Sequence, residues 1–248
     1  MIFAPFRSRR RTAKHPKVPR GVRVYAIGDI HGRADLLEQV FKRIDEDCMR
    51  TQVPHKIEVY LGDYVDRGPA SRQVVDLLAE RGRRHRTVFL KGNHEGLLAN
   101  FLHEPSTLGT WRRLGGLETL MSYGVTPSIN ADARAQAELA LAFHKALPPS
   151  HTHFLNELKT SFTCGDYFFV HAGVRPGIAL EKQREEDLLW IRQEFLHCED
   201  DFGKIVVHGH TPVVEPDIRS NRINIDTGAY ATGRLSCLVL ETDTMRIL

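Results

Sequence analysis

Apolar residues arrive in short bursts along this chain, and several bursts end on a glycine. VRVYAIGD breaks at Gly28, IEVYLGD at Gly62 and TVFLKGNHE at Gly92. Short runs rich in β-branched and aromatic residues, bounded by turn formers, predict strands. Between them the period changes. In DLLEQVFKRIDEDCMR the residues Leu36, Leu37, Val40, Phe41 and Ile44 recur at helical spacing, and ASRQVVDLLAERG behaves likewise. Strand, helix, strand, helix, strand predicts an α/β fold with a mostly parallel sheet covered by helices. Over residues 101–160 strand signals fade. Tryptophan, paired glycines and patches such as AQAELALAFHKAL predict a helical insertion there. Strands return in DYFFVHAG, KIVVHGHTP, RINIDTG and RLSCLVLE. Nothing divides the body, so residues 21–248 are expected to form a single domain, with order starting near Val22.

Composition changes this picture little: 42% hydrophobic and 26% charged residues are ordinary for a globular chain. No apolar run approaches the ~20 residues of a membrane span, and the N-terminus lacks the apolar stretch of a secretory signal. Cys48, Cys164, Cys198 and Cys237 lie far apart without a CxxC pair, which predicts reduced thiols and a cytoplasmic setting. Charge is more informative. Arg7, Arg9, Arg10, Arg11, Lys14, Lys17 and Arg20 stand in an acid-free stretch, so a net charge of +3 hides a mildly acidic body. Residues 1–20 read as a basic, disordered arm, whose sharper readings are an anionic membrane surface, nucleic acid or an acidic partner. The body itself shows no basic stripe with interleaved aromatics.

Candidate chemistry sits where the strands end. After the successive apolar runs come Gly28-Asp29-Ile30-His31, Gly62-Asp63-Tyr64-Val65-Asp66-Arg67, Gly92-Asn93-His94, His171-Ala172-Gly173 and His208-Gly209-His210. Taken singly, Asp29 or Asp63 could cap a helix, Asn93 could make a turn, and each histidine could be structural. Together they are five strand ends, each delivering Asp, His or Asn. Loops beyond the carboxyl ends of strands converge on ligand sites in open α/β sheets. Carboxylate, imidazole and amide oxygen are donors for a divalent metal, and the lack of cysteine disfavours structural zinc or iron–sulfur.

GDIHG, GDYVDRG, GNHE, HAG and HGHTP, in this order, resemble the calcineurin-like metallophosphoesterases, and more narrowly the phosphoprotein phosphatase family, over about residues 22–241. The resemblance implies two mixed β-sheets packed as a sandwich and flanked by helices. It implies two divalent ions, with manganese expected and iron or zinc as alternatives, held by Asp29, His31, Asp63, Asn93, His171 and His210, with Asp63 shared. A hydroxide activated by both ions would attack phosphorus in line. His94 would be the general acid, Asp66 its partner, and Arg67 and Arg192 the grips on phosphate. His208 is left open between support and packing. Tyr230 could line the mouth but is more readily a bystander, and His151 and His153 read as surface residues.

WRRLGGLETLMSYG and NIDTGAYATGRLSCLVLE resemble bacterial and phage-type members. The expected activity is therefore a bacterial-type serine/threonine protein phosphatase, with phosphotyrosine left open, acting on a phosphoprotein or a small phosphoester. The rival enzyme is a dinucleoside polyphosphate hydrolase, for which Arg112, Arg113 and Lys145 are candidate anion contacts. A metal-bound module without catalysis is a further reading, opposed by the joint presence of His94, Asp66 and Arg67. A nucleic-acid binder acting through the arm is the last.

Overall fold

The first half of the body forms as its periodicity predicts, with β1 (Val22–Ile27), α1 (Ala34–Met49), β2 (His55–Tyr60), α2 (Ser71–Arg84) and β3 (Thr87–Phe89) in succession. The computed structural model describes residues 15–127 and 131–248, so most of the expected basic arm lies outside the described residues. Five helices follow: α3 (Asn93–His103), α4 (Leu108–Arg113), α5 (Gly116–Ser122), α6 (Ala133–Ala146) and α7 (Pro149–Asn156). Next come β4 (Ser161–Cys164), β5 (Tyr167–Val170), α8 (Glu185–Trp190), α9 (Gln193–Leu196) and β6 (Ile205–His208). The described chain closes with β7 (Asp217–Ile218), β8 (Arg222–Asn224), α10 (Ala229–Thr232), β9 (Cys237–Glu241) and β10 (Thr244–Ile247).

Two five-stranded sheets result, ordered β10-β9-β1-β2-β3 and β4-β5-β6-β8-β7. The three strands β1, β2 and β3 are parallel, while β9 and β10 add antiparallel edges. In the second sheet β5, β6 and β8 are parallel, with β4 and β7 antiparallel at the rims. Both sheets are therefore mixed, as the resemblance implied, and the mostly parallel single sheet read from periodicity is corrected. The antiparallel strands β4, β7 and β10 escaped that reading because they are short, and every residue of β10 is exposed, which leaves no apolar alternation to see.

Burial follows the pleat. Val24, Ala26, Val59 and Leu61 point from the first sheet onto Phe169, Val207, Ile223 and Ile225 of the second. Their neighbours Tyr25, Ile27 and Tyr60 point the other way, onto α1, α2 and the helices after β3. Phe168, Val170 and Val206 cover the outer face of the second sheet against Leu188, Ile191 and Phe195. Successive strand residues face opposite sides, so strands buried on both sides read as continuous apolar runs. Each such side chain contributes about 1.5–3 kcal/mol relative to exposure. That interlayer is what allows the strand ends to hold strained backbone.

Two local expectations change. Order begins before Val22, because Val18 is buried in the intersheet core and its N–H donates to Thr242 O at 2.9 Å. His151 is not a surface residue. Pro149 opens α7 and turns His151 and Phe154 inward. The Asp76 carboxylate can only accept, so His151 Nε2 donates to it at 2.8 Å, while Nδ1 accepts from the Tyr123 hydroxyl at 2.9 Å. His153 is exposed, as expected. All four cysteines are free, and no helix among the described residues is long and apolar enough to cross a membrane.

Candidate active site

The carboxyl ends of β1, β2, β3, β5, β6 and β8 bring Asp29, His31, Asp63, Asp66, Arg67, Asn93, His94, His171, His210 and Asp226 to one edge of the sandwich. The backbone there is unusual. His31, Asp63, Asp66, Arg67 and His210 have φ of 46°, 51°, 71°, 67° and 65°. Non-glycine residues rarely adopt these left-handed values, and each costs about 1–3 kcal/mol unless its surroundings hold it. The GNHE stretch, read as strand and turn, is instead the start of α3, with Asn93 and His94 in its first turn.

One carboxylate does much of the holding. Glu95 Oε2 accepts from the N–H groups of Asp63 and Gly92, both at 2.9 Å, and Oε1 from Tyr64 at 2.8 Å and Val65 at 3.3 Å. It fastens the exits of β2 and β3 to each other. Burial, then the charge of Asp63, pushes the Glu95 carboxyl up to about 7. Close approach at the same point requires glycine, since a Cβ on Gly92 would lie 2.2 Å from Asp63 Oδ1 and 2.3 Å from Asp63 N. Gly92→Ala is expected to lower stability by about 3 kcal/mol, the upper end for overpacking, and to remove activity. A thermal melt alongside an assay checks both, and a variant that melts and works like the parent would contradict this packing.

Two donor clusters share Asp63: His31 with Asp63 and His94, and Asp63 with His171 and His210. His31 Nδ1 faces Val65 O at 2.9 Å and His171 Nδ1 faces Leu61 O at 2.8 Å. Carbonyl oxygens only accept, so these nitrogens carry the protons and both Nε2 atoms present lone pairs inward. His31 Nε2 and His171 Nε2 each lie 3.4 Å from an Asp63 oxygen. His171 Nε2 and His210 Nδ1 converge on Asn93 Oδ1, each at 2.9 Å. Asp29 Oδ2 accepts from His210 N at 3.0 Å, while buried Asp29 Oδ1 and His210 Nε2 have no partner.

Charge points the same way. Burial lowers His31 to about 3 and also lowers His171, so both imidazoles are neutral. Burial, then Asp226 and Asp63, pushes the Asp29 carboxyl up, and Asp226, pushed up chiefly by burial, reaches about 6. For Asp63 burial works against ionisation, yet the histidines that ring it, among them His94 with its raised pKa, hold it below its usual range. Buried carboxylates packed with neutral imidazole lone pairs and an orphan carboxylate oxygen lack positive charge. Divalent cations supply it, and the oxygen and nitrogen donors fit them.

His94 stands apart in its bonding. Its Nδ1 donates to Asp66 Oδ2 at 2.7 Å, and Arg67 Nη2 donates to its Nε2 at 3.3 Å. Burial would depress this imidazole, but Asp63 and Asp66 outweigh it and raise its pKa. Asp66 is fully buried and fully engaged. Besides His94 it accepts from Trp111 Nε1 at 2.8 Å and Thr119 Oγ1 at 2.6 Å. Arg67 lies over the Tyr230 ring at 4.7 Å, and that ring stands edge-on to His31 at 5.5 Å. Tyr230 is thus part of the site rather than a bystander. Arg192 lies between α8 and α9, exposed, with Nη1 3.5 Å from Thr211 Oγ1 beside His210. His208 packs behind, edge-on to Phe195 at 4.9 Å.

Sequence reasoning passed over Trp111, Thr119, Glu95 and Asp226. Trp111 and Thr119 sit 45 and 53 positions from the Asp66 they bind, so no local pattern ties them to it. Glu95 and Asp226 lie inside quoted motifs, and their acidity beside glycine was the available clue.

A family model described as calcineurin-like phosphoesterase matches residues 22–238. Among curated relatives, a bis(5'-nucleosyl)-tetraphosphatase (asymmetrical), PrpE, of Anoxybacillus flavithermus is 27% identical over 231 residues, covering 86% of this chain and 88% of its own. Among solved structures, a candidate diadenosine tetraphosphatase superposes with a TM-score of 0.60 at 21% identity, over 91% of this chain and 92% of that one. A cold-active protein-tyrosine phosphatase from a psychrophilic Shewanella gives 0.56 at 14% identity, over 94% and 83%. The structural likenesses show the fold. The curated relative overturns the expectation of a serine/threonine protein phosphatase, because its near full-length match is to a dinucleotide hydrolase and not to a protein phosphatase. The motifs misled because they specify metal and phosphate, which both activities share, and not the leaving group.

Proposed function

Since the chain belongs to the calcineurin-like phosphoesterase family and is a metal-dependent phosphoric ester hydrolase, we propose that it hydrolyses dinucleoside polyphosphates asymmetrically, converting diadenosine tetraphosphate and water to ATP and AMP. The observation that carries the substrate is the 27% identity to the asymmetrical tetraphosphatase over nearly the whole of both chains. The reaction class rests on the Nε2 lone pairs of His31 and His171 that converge on the Asp63 carboxylate.

Asp29, His31 and Asp63 would hold one divalent ion, and Asp63, Asn93, His171 and His210 the other. Such a pair supplies Lewis acidity and a nucleophile at neutral pH. Manganese is the ion we propose, as the family resemblance implied, since the donor set suits iron and zinc as well. The chain's own groups do the rest. Arg67 and Arg192, flanking the two clusters, grip phosphate oxygens, and the guanidinium fork suits that task. The Arg67 contact to His94 Nε2 marks where the leaving oxygen comes to lie. As the bond from phosphorus to the bridging oxygen breaks, His94, protonated at Nε2 once Arg67 has turned from it to the phosphate, gives that oxygen the proton. Asp66 holds the opposite nitrogen of the ring and steadies the charge. Trp111 and Thr119 keep Asp66 in place. The free thiols suit the cytoplasm as the setting.

The test is direct. Metal-stripped protein, resupplied with manganese, is expected to release ATP and AMP in equal amounts from diadenosine tetraphosphate, and to be silent without the metal. Chromatography of the products decides. Two equivalents of ADP would sink the asymmetrical reading, and no turnover would sink the substrate.

A further inference from the structure

Trp190 has no task in the chemistry above, yet it stands at the site. It is the last residue of α8 and 43% exposed, while Leu188, Leu189 and Ile191 around it are buried. Its position is fixed. Ala172 N–H donates to Leu188 O at 2.8 Å, which ties α8 to the turn that carries His171. The Trp190 and His210 rings stand near-perpendicular to each other, with centroids 6.2 Å apart and planes at 83°. That is the one aromatic contact it makes among the described residues. The other exposed aromatic here, Tyr230, already has Arg67 over its ring. Trp190 is the exposed aromatic of the two, among the described residues, with no cation over its ring.

Trp190 lines a cleft of about 410 Å³ together with Arg175, Arg184, Arg192, Gln193 and Glu194. Arg175 is engaged by Asp187 and Arg184 by Glu186, whereas the Arg192 guanidinium is held only by the 3.5 Å contact to Thr211 among the bonds described. The cleft thus joins a bare indole to a cation at the edge of the His171–His210 cluster.

We propose that Trp190 is the stacking platform for the nucleobase adjoining the cleaved bond, with its nucleoside in this cleft and its phosphate under Arg192. The proposal rests on the dinucleotide reading. Asymmetrical cleavage breaks the bond between the first and second phosphates. Whichever phosphorus is attacked, one nucleoside then lies within a single phosphoryl group of the metal cluster. An aromatic ring against His210 is where its base arrives, and the second nucleoside, three phosphates away, is out of its reach. Stacking uses the π-face common to all bases, so the platform selects nucleotides as a class without reading base identity. A phosphorylated side chain on a peptide presents no planar group there.

Wild type, Trp190→Ala and Trp190→Phe, all manganese-loaded, are titrated with AMP and, as the base-free control, with inorganic phosphate. In Trp190→Ala the AMP affinity is expected to fall about tenfold relative to phosphate, as the loss of one base stack predicts, and to recover largely in Trp190→Phe. The kcat/KM for diadenosine tetraphosphate is expected to follow the same order. AMP should also quench the indole emission. The chain has two tryptophans and Trp111 is fully buried, so the quench reports Trp190 and is lost in Trp190→Phe. Equal losses for AMP and phosphate, no loss, or no quench overturns the platform. If wild type fails to cleave diadenosine tetraphosphate, the substrate assignment falls, and the AMP titration still decides the subsite.

Discussion

Asp63→Asn is expected to leave a folded protein that retains neither metal nor activity. Asp63 is the one residue common to both donor clusters, with one oxygen 3.4 Å from His31 Nε2 and the other 3.4 Å from His171 Nε2. Asparagine keeps the shape and one oxygen, so the bond from His94 N–H to Oδ1 survives. What is lost is the charge at the centre and the second donor atom. Losing an outer-shell partner costs roughly 10–100-fold in affinity or rate. Loss of the shared ligand is expected to exceed that and to affect both ions. Metal content by elemental analysis, turnover and far-UV circular dichroism are measured on the same sample. Two equivalents of metal retained in the variant would refute the bridging role.

His94→Asn separates the proton from the metal. Its Nδ1 is held by Asp66 at 2.7 Å and its Nε2 by Arg67 at 3.3 Å, so in this structure the ring is oriented by groups that need no cation. The variant is expected to keep both metals and to lose ~10²–10⁴ in kcat, the usual size of general acid catalysis. The leaving oxygen of a phosphoanhydride is a weaker base than an alkoxide and needs the proton less. The lower end of that range therefore belongs to diadenosine tetraphosphate. Full activity without His94 would remove it from the mechanism, and loss of metal with activity would make it a ligand instead.

Much of this site is legible in the bare sequence, for a physical reason. A left-handed turn at the end of a strand favours glycine nearby, and a donor atom must follow within a few residues, so each ligand leaves a compact written trace. Gly28 through His31 and Gly62 through Arg67 are of that kind. The residues that position the ligands leave no such trace. Thr119 reaches Asp66 only because α5 packs on α2, and a threonine in GLETL looks like any helix residue. His151 misled for the complementary reason. Proline and serine beside it suggest exposure, and only the packing of α7 turns it toward Tyr123 and Asp76. Substrate class was least legible. The strand-end motifs describe the reacting phosphoryl group, while the leaving group meets surfaces such as Trp190 whose partner is not in the chain.

The bonds from Trp111 and Thr119 to Asp66 bear on how such a scaffold can diversify. The helices α4 to α7, between α3 and β4, look like a detachable lobe, suited to being exchanged when a lineage acquires a new substrate. Here that lobe carries two of the three side chains that grip the acid's partner. A graft that ignored them would change specificity and proton delivery in one step. Viable descendants must therefore conserve an indole and a hydroxyl inside that segment, and those two anchors limit where recombination can cut.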